Sequence, residues 1–117
     1  LMCHYRHHAH DDPFFLPGLQ DITAHVDFSA IAADAAGQGL EVAGYTSQAH
    51  FLINCGITDL LAQHDPQDTR HYLALANGAQ RLMSPAEMGE LFKVIALTRN
   101  VDLPLIGFAR GDRTDSL

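Results

Sequence analysis

An alanine-rich run that stops at a glycine and turns at once into a β-branched run does most to fix the fold class of this chain. Asp27 can cap a helix beginning at Phe28, Val26 before the cap can touch Ile31 as a hydrophobic staple, and AIAADAAGQ carries the helix on. Gly39 ends it, and residues 40–46 (LEVAGYT) follow with the branched and aromatic side chains that suit a pleated strand. A helix passing directly into a strand is the repeating step of an α/β fold.

The rest of the chain can be read around that step. Residues 1–9 alternate as a strand, with Leu1, Cys3 and Tyr5 on one face and Met2, His4 and Arg6 on the other. Residues 11–20 (DDPFFLPGLQ) contain two prolines and a Pro-Gly pair, which forces a loop, and Phe14, Phe15 and Leu16 are expected to pack across a neighbouring surface. Ser47 caps a short helix through His50, Phe51, Leu52 and Ile53 that stops near Gly56. Asp65-Pro66 starts the longest helix, with Leu73, Ala76, Ala79, Leu82 and Met83 as its apolar stripe. Ser84-Pro85-Ala86-Glu87 reads as a capping box opening a further short helix that breaks at Gly89.

Residues 91–99 (LFKVIALTR) then read as a buried strand and residues 104–108 as another, with a turn at 100–102. Polar residues 111–117 predict a flexible tail. The expected architecture is a single α/β domain over 1–117, a small mixed sheet with an antiparallel terminal strand pair packed with three to four helices. Because Leu1 opens directly on a strand pattern, the chain is expected to be a piece of a longer one.

Charge narrows the partners. Seven basic against fourteen acidic side chains give 7 − 14 = −7, which repels phosphate backbones and anionic lipid, so no nucleic acid is expected. No run approaches the ~20 consecutive apolar residues of a membrane helix. Cys3 and Cys55 stand far apart and outside any C-x-x-C pair, which reads as two reduced thiols in an intracellular protein.

Three groups could carry chemistry. His8, His10 and Asp12 reproduce the start of the H-x-H-x-D-H motif of metal-dependent hydrolases, but Pro13 stands where the next histidine belongs. DITAHVDF, residues 21–28, gathers Asp21, Thr23 and Asp27 around His25 just before a helix N-terminus, where simple capping competes with a binding role. The third group combines Gln48, Phe51 and Leu52 on one helical face with Gly89 and Glu90 at the mouth of an apolar strand.

Taken in order, DITAHVDF, GYTSQAHFLINCG and MSPAEMGELFKVIAL resemble the C-terminal half of a family of class I S-adenosylmethionine-dependent methyltransferases of bacteria and mitochondria. The family's mitochondrial member is a complex I assembly factor that dimethylates a protein arginine. The resemblance implies a seven-stranded Rossmann-like sheet in the intact protein, with 40–46 and 91–99 as its last two strands and the final one antiparallel. It also implies a glycine-rich cofactor loop, and this sequence contains no G-x-G-x-x-G. S-adenosylmethionine is thus expected in the full-length parent and not on this chain, which is expected to be inactive alone.

By the same resemblance Asp21, Thr23, Asp27, Phe28, Gln48, Phe51, Gly89, Glu90 and Phe92 face the substrate, a protein, since carboxylates suit the planar fork of a guanidinium. His25 could accept a proton but is not assigned as a base. A bacterial relative would be cytoplasmic and a eukaryotic one mitochondrial. Exposed strand edges would make the isolated piece a homodimer or, as a separate reading, a protein-interaction module.

Overall fold

The computed structural model describes residues 2–6, 8–63 and 67–117. Strands β1 (Met2–Tyr5), β2 (His8–His10) and β3 (Asp21–Thr23) form one antiparallel sheet in the order β2-β1-β3. Where the alternation predicts one strand over 1–9, Arg6 adopts a left-handed φ of 46° and the chain doubles back as a hairpin. Leu1 and His7 lie outside the described residues. Central β1 buries Cys3 completely, between His10 on one side and Ile22 on the other.

Residues 11–20 form the expected loop, but they do not lie across a neighbour. Phe14 is 85 % exposed, and Phe15 is held only at the edge of the His10 ring, 5.3 Å between centroids. Helix α1 (Phe28–Gly37) starts at Asp27, whose carboxylate accepts the Ala30 N–H at 3.0 Å, a cap worth about 0.5–2 kcal/mol. Val26, expected to staple onto Ile31, remains 58 % exposed. Gly39 then takes a left-handed φ of 78°, and β4 (Glu41–Ser47) begins two residues later.

β4 pairs antiparallel with β5 (Lys93–Thr98) as a second, two-stranded sheet, with a register shift between Val42 and Gly44. Ser47 ends β4 and caps α2 (Gln48–Asn54), its hydroxyl accepting the His50 N–H at 3.2 Å. Helix α3 (Ile57–Ala62) follows, where the sequence predicts a stop at Gly56. Gly56 instead sits at φ 93° as the N-cap and lets one helix turn into the next. The longest helix, α4 (Thr69–Met83), begins at Asp68; the expected start, Asp65 and Pro66, lies outside the described residues.

Two expected elements are absent. Ser84 serves as the C-cap of α4, its N–H on the Gln80 carbonyl at 2.8 Å, and its own carbonyl accepts the N–H groups of Glu87 and Gly89. Residues 85–90 are consequently turns and not a short helix. Residues 104–108 do not form a strand either: Ile106–Phe108 is a 3₁₀ turn that packs on α2 and β4. The α/β class holds, but in place of one mixed sheet with a terminal pair of 91–99 and 104–108 there are two antiparallel sheets, and the antiparallel pair is β4 with β5, the one the family resemblance implies.

Burial is sparse. Among the described residues the buried apolar side chains are Cys3, Ala35, Ala79 and Phe108. The radius of gyration is 18.0 Å, against about 13 Å for a compact chain of this length, and the body is flat, 52 × 48 × 21 Å. No helix is long and apolar enough to cross a membrane among the described residues.

Candidate functional site

One cavity, about 670 Å³, is lined by residues from both sheets and from the approach to α1. His4 of β1, residues 23–26, Phe28 of α1, Tyr45 of β4 and residues 91–93 at the entry to β5 line it. Its volume is in the range of small-ligand and side-chain sites. The Phe28 and Tyr45 rings meet at 45° with centroids 5.2 Å apart, and Phe92, 46 % exposed, completes an aromatic wall.

Three of the residues named from sequence as facing the substrate, Thr23, Phe28 and Phe92, line this cavity, and so does His25. Asp21 and Asp27 flank it on exposed backbone. Asp21 pairs in register with His4, and the Asp27 carboxylate is engaged by the helix N-terminus. The others have packing duties. Gln48 donates to the Leu82 carbonyl at 2.9 Å, tying α2 to the end of α4. Phe51 meets Phe108 edge-on at 5.5 Å. Gly89 is buried, its carbonyl accepting the Ala49 N–H at 2.9 Å.

Glu90 is gripped by Arg113 through two parallel hydrogen bonds of 2.6 and 3.1 Å, the bidentate geometry a guanidinium favours. Lys93 donates to the Glu90 carbonyl and stands 3.7 Å from its carboxylate. Tyr45 and Lys93 are cavity residues that sequence reasoning missed. Nothing local marks them, since each sits in a strand chosen for its apolar neighbours and reaches the cavity only through β4–β5 pairing.

Residues 111–117, polar enough to suggest a flexible tail, carry hydrogen bonds that oppose fraying. Arg113 donates its N–H to the Tyr45 carbonyl, Asp112 accepts the Tyr45 N–H at 3.1 Å, and the Thr46 hydroxyl donates to Gly111 at 2.7 Å. The Arg113 hydrogen bond holds the Glu90 carboxyl below its ordinary value, and burial, which opposes this, is outweighed. Burial likewise pushes Asp112 up, but the bonds from Thr114 and Tyr45 prevail and its carboxyl is lowered.

Both groups bind protons less tightly folded than unfolded, so their stabilisation is complete above the ordinary values of 4.5 and 3.8 and disappears as pH falls through the lowered ones. The melting temperature should hold from neutrality to about pH 5 and then drop, with Glu90→Gln flattening that acid limb. Because the Glu90 side chain is 47 % exposed, added salt should shrink the effect.

The histidine motif does not assemble a metal centre. His10 uses Nδ1 to accept the Asp12 N–H at 3.1 Å, Asp12 turns its carboxylate to the Phe14 N–H, and His8 is exposed on β2. Among the described residues no group of three His, Cys, Asp or Glu side chains converges as metal ligands. Two strand-to-helix junctions stand among the described residues. β3 reaches α1 through Ala24, His25, Val26 and Asp27, and β4 runs straight into α2, with no glycine-rich turn at either place.

Comparison with known proteins fits this geometry. Residues 1–46 match a family described as "Putative S-adenosyl-L-methionine-dependent methyltransferase". A Burkholderia thailandensis protein, described as a "likely methyl transferase" and crystallised bound to S-adenosyl-homocysteine, superposes on 99 % of this chain with a TM-score of 0.93 and 63 % identity. This chain belongs to the S-adenosylmethionine-dependent methyltransferase family.

Curated relatives of this chain include the mitochondrial protein arginine methyltransferase NDUFAF7 of Bos taurus, 37 % identical over 81 % of this chain. Its Drosophila melanogaster homologue is 29 % identical over 90 %. The chain spans only part of each: 21 % of the bovine protein, 26 % of the fly protein and 30 % of the Burkholderia chain.

Proposed function

We propose that these 117 residues are the C-terminal, acceptor-side portion of an S-adenosylmethionine-dependent methyltransferase acting on a protein arginine, and that residues outside them hold the methyl donor. The observation that carries the reading is the 63 % identity over 99 % of the chain to a structure described with S-adenosyl-homocysteine bound, of which this chain spans 30 %. The names of the curated relatives support arginine as the acceptor. The open body is consistent with it, because Leu60 at 59 % and Leu73 at 52 % exposure leave apolar helix surface that a larger fold would cover.

In this reading Asp21, Thr23, Asp27, Phe28 and Phe92 border the acceptor, while Gln48, Phe51, Gly89 and Glu90 set the backbone behind them. Two isolated chains pair through the short edges of β2 and β3 or through the exposed helix faces. A cytoplasmic setting goes with the two free thiols, Cys3 and Cys55.

Calorimetric titration of this chain with S-adenosylmethionine should show no micromolar binding. A protein that joins it to the upstream residues should bind the donor and place methyl groups on an arginine peptide, read by mass spectrometry. Micromolar donor binding by the chain alone would overturn the division of labour; methylation confined to another side chain would overturn the substrate.

A further inference from the structure

The cavity wall contains a lysine and two histidines but no carboxylate, an odd lining for a site that would receive a cation. The charge of Lys93 is not free, however. Its ammonium is drawn to Glu90, through the backbone carbonyl and the carboxylate 3.7 Å away, and Glu90 is itself fixed by the two hydrogen bonds from Arg113. Arg113 and Asp112 are in turn anchored on the backbone of Tyr45, another wall residue. The C-terminal segment thereby fixes the backbone of an aromatic wall residue and the counter-charge of the cavity's lysine together.

We infer that the Arg113–Glu90 pair is a specificity device: by holding a counter-charge on Lys93 it lets the aromatic wall of Phe28, Tyr45 and Phe92 accept a guanidinium. The inference rests on the arginine reading above and deepens it. A cation over aromatic faces is attracted to the ring quadrupoles, and the attraction grows as water is excluded. An ammonium lining the same cavity without its counter-charge would oppose it. Glu90 and Arg113 are positioning residues in this scheme and do not touch the ligand.

The test uses this chain at about pH 8, above the ordinary imidazole range. N-methylguanidinium is titrated while the ring signals of Phe28, Tyr45 and Phe92 are followed by NMR, with neutral N-methylurea as the isostere. The cation should bind at least ~5-fold more tightly than the urea. Glu90→Gln should weaken cation binding by roughly 3- to 10-fold, and adding Lys93→Met to it should restore the affinity. Lys93→Met alone, which leaves the Arg113–Glu90 pair in place, should bind the cation more tightly than the parent.

Rescue by the second substitution separates an electrostatic role from a structural one, because a wall that had collapsed would stay collapsed. Equal binding of cation and urea, absence of ring shifts with either, or weaker binding by Lys93→Met would each overturn the proposal. None of these outcomes bears on methyl transfer by the longer protein. Failure there, with cation binding intact, would instead sink the methyltransferase reading of the site.

Discussion

Gly89→Ala is expected to destabilise the chain by about 3 kcal/mol or more, at the severe end of single substitutions. The methyl group would be built into the backbone carbonyl of Met83, which belongs to the last turn of α4 and has no rotamer by which to yield. Relief must come from moving the 84–90 turns, and those are pinned on both sides. The Gly89 N–H lies on the Ser84 carbonyl at 2.9 Å and its carbonyl receives the Ala49 N–H. Displacing the turn therefore breaks the hydrogen bond that joins it to α2 as well as the one that closes the turn itself.

Gly78→Ala supplies the control. Gly78 lies within α4 and an added methyl would meet nothing within 4 Å, so the same chemical change should stabilise by about 0.5–1 kcal/mol through helix propensity. Urea denaturation of the two variants should thus move the midpoint in opposite directions. A Gly89→Ala variant as stable as the parent would show that the turn packs less tightly on Met83 than described.

Gly89 also marks where sequence reasoning reached its limit. Asp27 and Ser47 were legible as caps because the bond each makes reaches only three residues along the chain, to Ala30 and His50. Ser84-Pro85-Ala86-Glu87 carries the same local signature, yet Ser84 closes a helix there, since the Gln80 carbonyl claims its N–H and Ala49 claims the Gly89 carbonyl. A start and a stop share that pattern, and only the packing of α2 against α4 decides between them.

The cavity divides along the same line. Thr23 and Phe28 could be named because DITAHVDF is compact in sequence, whereas Tyr45 and Lys93 enter through strand register and a C-terminal segment more than sixty residues beyond Tyr45, the Tyr45–Asp112 bond spanning 67 positions. Residues 104–108 were misread for a related reason. Their apolar composition suits a strand, but Gly107 and Phe108 are instead drawn onto α2 and β4 in a 3₁₀ turn.

That contact yields the second large effect. Phe108 is 9 % exposed, meets Phe51 edge-on, and lies over Gly44, where the missing side chain of β4 makes room for its ring. Phe108→Ala removes one of the few buried apolar side chains and should cost about 3–5 kcal/mol, comparable with the whole stability of a weakly packed domain. Asn54 bonds the carbonyls of Gly107 and Arg110 at 2.8 Å each, so the turn should stay near α2 while the space under the ring empties. Gly44→Ala alone should also destabilise, because its methyl enters the ring. In the Phe108→Ala background the same methyl fills vacated volume, so the two losses should fall short of their sum by about 1 kcal/mol or more. Strictly additive losses in a double-mutant cycle would mean that Gly44 and Phe108 do not share that space, and the docking of the C-terminal segment on β4 would need another explanation.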